Sequence, residues 1–208
     1  MVQKLDALKE SASQTAGPYV HIGLTPNWAD IGGVYSEDLG RTMVDPRATG
    51  ERIVVKGSIF DGSGTPLKDA LIEIWQADAS GLHNSPLEKR GEADPHFTGW
   101  GRQPTDGVSG EYRFETIKPG RVPHKGGRLM APHITFWIVA RGINIGLHTR
   151  MYFADEEAAN AECPVLARIE HKTRIPTLMA RRAEENGSAV YTFDIRLQGE
   201  GETIFFDV

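Results

Sequence analysis

From residue 52 to the C-terminus, short β-branched and aromatic runs recur between Gly, Pro and Asp punctuation, and this pattern restricts the fold more than any other feature. The runs are RIVVKGSIF (52–60), ALIEIWQA (70–77), EYRFETI (111–117), HITFWIVAR (133–141), TRMYF (149–153), VYTFDIRLQ (190–198) and ETIFFDV (202–208). Each has the length of a strand, and turn-rich links such as DGSGTPLKD allow neighbouring strands to fold back on one another. Roughly seven such strands predict an all-β fold, a two-sheet sandwich. Two short helices are expected to interrupt it: one over EEAANAE with Asp155 as N-cap, and one over TLMARRAEEN (177–186) ended by Gly187. Residues 1–18 read as an N-terminal arm with a turn at Gly17–Pro18. Residues 19–50 read as a loop-rich segment and 51–208 as the sandwich core, all within one domain.

A formal charge of -5 and a charged fraction of 25% offer no basic excess for a nucleic-acid partner. No stretch is apolar for long enough to span a membrane, and the first residues lack a secretory apolar region, so a cytoplasmic location is expected. Cys163 is the single cysteine, which rules out an internal disulfide or a thiolate cluster, and beside Pro164 it reads as a small buried residue. There is no nucleophile elbow, P-loop or H-E-x-x-H. GEGE (199–202) lies between two strand patterns and reads as a hairpin turn, not a phosphate cradle. The stretch MAPHITFW (130–137) looks like half a metal site. Side chains alternate along a strand, so H-x-H would aim two imidazoles at one point, but the second position is Thr135. His21, His83, His96, His124, His133, His148 and His171 show no ligand spacing, and an unpaired strand histidine is ordinarily a hydrogen-bonded structural residue.

In their order along the chain, VVKGSIFDGSGTPLKDALIEIWQADASG, GEYRFETIKPG and APHITFWIVARG resemble segments of the intradiol ring-cleavage dioxygenases. The resemblance runs from SQTAGPYVHIGL (13–24) through RGINIGLHTRMYF (141–153) and CPVL (163–166) to FDIRLQGEGETIFFDV (193–208). Iron-bearing chains of that family hold one ferric ion through two tyrosines and two histidines. Aligning the segments puts His83 and Val122 at the tyrosine positions and His133 and Thr135 at the histidine positions. The resemblance therefore implies no metal ligand set and no catalytic residue in this chain. The Fe(3+) would belong to an iron-bearing beta chain with which this one forms a hetero-oligomer. It also implies that Thr15, Gly17, Pro18 and Tyr19 line the partner's pocket. Arg141 would bind the carboxylate of the substrate, protocatechuate, which O2 cleaves between its two hydroxyls. Two rivals stand beside this reading. One is a self-sufficient intradiol enzyme with ligands rearranged among Tyr19, Tyr35, Tyr112, Tyr152 and Tyr191; the other is a sandwich module with no enzymatic role.

Overall fold

The computed structural model describes residues 15–144 and 146–207, so the greater part of the expected arm, residues 1–14, lies outside it. The strands are β1 (Arg52–Phe60), β2 (Leu71–Trp75), β3 (Trp100–Pro104), β4 (Glu111–Ile117), β5 (His133–Val139), β6 (Leu147–Phe153), β7 (Met179–Glu185), β8 (Ser188–Thr192) and β9 (Ile195–Arg196). They are ordered β3-β2-β5-β6-β7-β8-β1-β4, with β9 beside β1. β7 joins the two sheets: Met179 and Ala180 run parallel to β6, while Arg181 to Glu185 pair antiparallel with β8. Along β5, Ile134, Phe136 and Ile138 are fully buried and alternate with half-buried His133, Thr135 and Trp137. The inward set meets Val55, Ile72, Phe114 and Tyr191 from other strands in the main core. Burial of each such side chain contributes about 1.5–3 kcal/mol. Tyr112, wholly buried, donates its hydroxyl to Phe193 O and so ties β4 to the link between β8 and β9.

A second apolar cluster lies on the outward face of β5 and β6. It contains Val122, Met130, Ala131, Tyr152, Leu166, Leu178 and the buried Cys163, which has the place expected of it. Helix α2 (Glu157–Glu162) covers part of this cluster through Ala159.

Several local expectations are corrected. TLMARRAEEN forms β7, not a helix. Asn186 and Gly187 both have positive φ, 52° and 78°, which makes them the two-residue turn of a β7–β8 hairpin. Asp155 does not cap α2. Its carboxylate accepts from Lys118 Nζ and from the Tyr191 hydroxyl, both at 2.9 Å, while Glu156 stands at the cap position and pairs with Lys118 instead of capping the helix. The run 190–198 is broken at Phe193–Asp194 into β8 and β9. The described part of the C-terminal run forms no strand; it meets the sheet through a bridge between Phe206 and His148 and a bond from Thr203 N to Arg196 O. Strand β3 carries no apolar alternation and escaped notice. Pro18–Leu24 is a helix, α1, where loop was expected. Among the described residues no helix is long and apolar enough to cross a membrane.

Candidate functional site

The arm residues and Arg141 meet at the far end of β5. The amide of Gly142 donates to Thr15 Oγ1 at 2.8 Å, and Thr15 Oγ1 donates to Ala140 O at 3.3 Å, so one hydroxyl brackets Arg141 on both sides. Gly17 caps α1 in ordinary extended geometry (φ -130°, ψ -171°), and Pro18 opens the helix, where its fixed φ is already suitable. Tyr19 is 84% exposed and makes no pocket within this chain. The sequence reading missed the two residues that hold this corner together. His21 is buried, with Nε2 donating to Asp69 O at 2.9 Å and Nδ1 facing Thr25 Oγ1 at 3.1 Å; its ring packs against Trp28 at 4.4 Å. The carboxylate of Asp69 pairs with Arg141 Nε. Asp69 thus fixes α1 with its carbonyl and Arg141 with its carboxylate. The Arg141 side chain stays 74% exposed, so the rest of its planar fork can take an external carboxylate. The sequence signal for this pair was weak, since a turn aspartate before a strand has an ordinary structural reading.

Of the four positions aligned with iron ligands, His133 and Thr135 lie at the other end of β5, His133 eight residues and roughly 25 Å from Arg141 at strand rise. Val122 is buried in the second apolar cluster. His133 donates from Nδ1 to Ala131 O at 2.8 Å, and burial, helped by the charge of Arg150, pushes its imidazole down to about 4. His83 stacks on Trp75, ring centroids 5.6 Å apart. Thr135 lies between Trp75 and Arg150 in the strand register. A ferric ion is held by anionic oxygen donors; this set offers an apolar side chain, a hydroxyl, two imidazoles and an intruding guanidinium, which does not suit it. Among the described residues no group of three or more His, Cys, Asp or Glu side chains is placed to hold a metal. The tyrosines do not converge either. Tyr19 and Tyr35 are exposed, Tyr112 and Tyr191 belong to the main core, and Tyr152, whose phenol burial holds protonated, is alone beside His133. A cleft of about 760 Å³ runs along Arg41, Arg52, Arg113 and Glu115 and includes none of these residues.

Comparison with known proteins fits this geometry. The profile of a family described as Dioxygenase matches residues 25–199. A protocatechuate 3,4-dioxygenase alpha chain of Pseudomonas putida is 46% identical over 203 residues, which cover 98% of each chain. A protocatechuate 3,4-dioxygenase beta chain of Burkholderia cepacia is 34% identical, covering 82% of this chain and 75% of its own. Among solved structures, a catechol 1,2-dioxygenase of Pseudomonas arvilla C-1 superposes with a TM-score of 0.55 at 23% identity, over 76% of this chain and 55% of its own, a likeness of fold.

Proposed function

The chain belongs to the intradiol dioxygenase family, and from that premise we propose that it is the iron-free alpha subunit of a protocatechuate 3,4-dioxygenase. One observation carries the division of labour: β5 has a face unsuited to ferric ion at one end and an exposed, oriented arginine at the other. An arginine so placed serves a cleft outside its own sandwich. The partner is a beta chain of the same family, and the two working together in the cytoplasm form an alpha-beta hetero-oligomer. Tyr19, Ile22, Val34 and Tyr35 leave apolar side chains exposed on the segment next to the Arg141 corner, which supports a surface that another chain covers.

In that assembly the Fe(3+) would be held by the beta chain and would supply the activation of the two substrate hydroxyls toward O2 that opens the ring between them to 3-carboxy-cis,cis-muconate. This chain binds and orients. Arg141 offers its guanidinium to the ring carboxylate, and a charge-assisted pair sheltered from water is worth about 1.5–3 kcal/mol. Thr15 holds the Arg141 turn, and Gly17, Pro18 and Tyr19 bring small and aromatic surface to the pocket wall. Arg141→Ala in the reassembled enzyme is expected to lower kcat/KM for protocatechuate about ten- to a hundredfold, with a much smaller loss for catechol, which lacks the carboxylate. Iron content should stay the same. Steady-state kinetics on both substrates check this, and an equal loss on the two would assign Arg141 to the subunit seam instead.

A further inference from the structure

The path of strands ends in β3 on one side and β4 on the other, and residues 40–45 continue it beyond β3: Arg102 N donates to Gly40 O at 2.8 Å and Thr98 N to Met43 O at 3.0 Å. Met43 closes the core between the two ends, since a Cβ on Gly101 of β3 would meet both its sulfur and the Phe114 ring of β4. The outer edge of β4 stays open. Lys118 N donates to Glu51 O at 2.9 Å and so continues the β1–β4 register; Tyr112, Phe114 and Thr116 therefore turn their backbone groups to β1, and Glu111, Arg113, Glu115 and Ile117 turn theirs away. At the ends of that row, Glu111 O accepts from Asp106 N at 2.8 Å and Ile117 O from Gln76 Nε2 at 2.9 Å. In the middle, the N–H and C=O of Arg113 and Glu115 have no protein partner among the described residues. Val44 is in the same condition on the opposite wall. The bonds on either side of it, Thr98 N to Met43 O and Asp45 N to His96 O, lie toward Phe97, which directs its own N–H and C=O the other way. The cleft of about 760 Å³ runs between these two bare edges, lined by Val44, Arg113 and Glu115 together with Arg41, Arg52 and Ile53. Its charge is one-sided. Among the described residues Arg41 has no carboxylate partner, Arg52 gives to the carbonyl of Asp45, and Arg113 meets only the exposed Glu115 at 3.5 Å.

We propose that this cleft docks an extended acidic peptide segment, which enters as an added strand between β4 and Val44. Its backbone bonds Arg113 and Glu115 on one side and Val44 on the other, the groups that the chain leaves without partners. Side chains alternate along such a strand, so its acidic residues face the three arginines and its small apolar residues face Met43 and Ile53. Charges on an edge strand ordinarily keep other strands away. Here three cations stand against one acid in a chain of net charge -5, so the rim repels basic segments and selects acidic ones. This inference is independent of the proposed assembly.

The test is fluorescence anisotropy of the full chain titrated into the pentapeptide fluorescein-Glu-Val-Glu-Val-Glu-amide. One saturable peptide per chain is expected, and the Lys-Val-Lys-Val-Lys counterpart should bind at least about tenfold more weakly. Arg41→Gln and Arg113→Gln together should weaken binding about fivefold or more; both side chains are exposed, so the fold tolerates the change. The glutamate peptide N-methylated at both valines keeps every charge but loses its N–H donors on one edge, and should bind about tenfold more weakly or worse. Hydrogen exchange should show the amides of Val44, Arg113 and Glu115 slowed by the parent peptide. Absence of saturable binding, or equal affinity for the N-methylated peptide, would overturn strand addition. Unchanged affinity in the double variant, or a lysine peptide that binds as tightly, would overturn the acidic assignment. Protection confined to amides elsewhere in the chain would overturn the placement in this cleft.

Discussion

At position 133 a single imidazole couples stability to pH. Burial first, and the charge of Arg150 second, bring its pKa from an ordinary 6.5 down to about 4. As pH falls below 6.5 the unfolded chain takes up this proton and the folded chain does not, until about 4. The stability associated with a neutral His133 is therefore complete above that window and lost on the way down through it, with an upper bound of roughly 3 kcal/mol. The melting temperature should fall between pH 7 and pH 4, and His133→Gln should flatten that part of the profile; thermal melts across pH decide, and an unchanged slope would mean other groups carry it. Asp69 gives a second test at this scale. Asp69→Asn keeps the backbone carbonyl that receives His21 but loosens the pairing with Arg141. Because an exposed ion pair is worth little, the KM for protocatechuate in the assembled enzyme should rise by no more than about fivefold, with kcat nearly unchanged. A large drop in kcat would show that Asp69 does more than orient its partner.

Strands with period-two alternation were legible as elements, and β1, β2, β4 and β5 lie where their apolar runs put them. β7 was misread because Ala, Arg, Glu, Leu and Met carry helix propensity, whereas its conformation is imposed by hydrogen bonds to β6 and β8 that a local window cannot see. The better clue was Asn186-Gly187, a hairpin dipeptide taken for a helix stop. The site was legible to a similar degree. Arg141 and the arm could be singled out from the resemblance, but the clasp through His21 and Asp69 joins residues 48 apart and has no sequence period. Two glycines separate the physical reasons for lacking a side chain. At Gly187 no atom lies within 4 Å of an added Cβ, so Gly187→Ala is opposed by the positive φ alone and should lower stability by about 1–2 kcal/mol. At Gly57 in β1 the same methyl would stand 2.1 Å from Phe193 O, so Gly57→Ala has to displace the link that Tyr112 anchors and should be the more damaging. Denaturant melts of the two variants check the order, and the reverse order would mean that the β8–β9 link yields easily.

For the whole molecule, the proposed division of labour makes iron a property of the pair. β5 places the Arg141 corner and its outward histidine at opposite ends, so one sandwich cannot use both in a single pocket. Two related sandwiches can, if the corner of one reaches the metal of the other. The purified chain alone should therefore be colourless and poor in iron, and the visible absorption of a ferric phenolate should appear only after co-expression with the beta chain. Assembly should depend on the apolar segment beside the corner. Ile22, 41% exposed on α1, and Val34, 57% exposed, leave much of their apolar surface uncovered, so a charge there should leave the fold intact but must be desolvated when a partner covers it. Ile22→Asp and Val34→Asp together should abolish co-purification of the two chains while each still folds, as read by size-exclusion chromatography and circular dichroism. His133→Ala should leave the iron content of the assembled enzyme unchanged. A solitary chain that carries one ferric ion with a tyrosinate band would sink the division of labour; a double variant that still co-purifies would leave it standing and move the seam elsewhere.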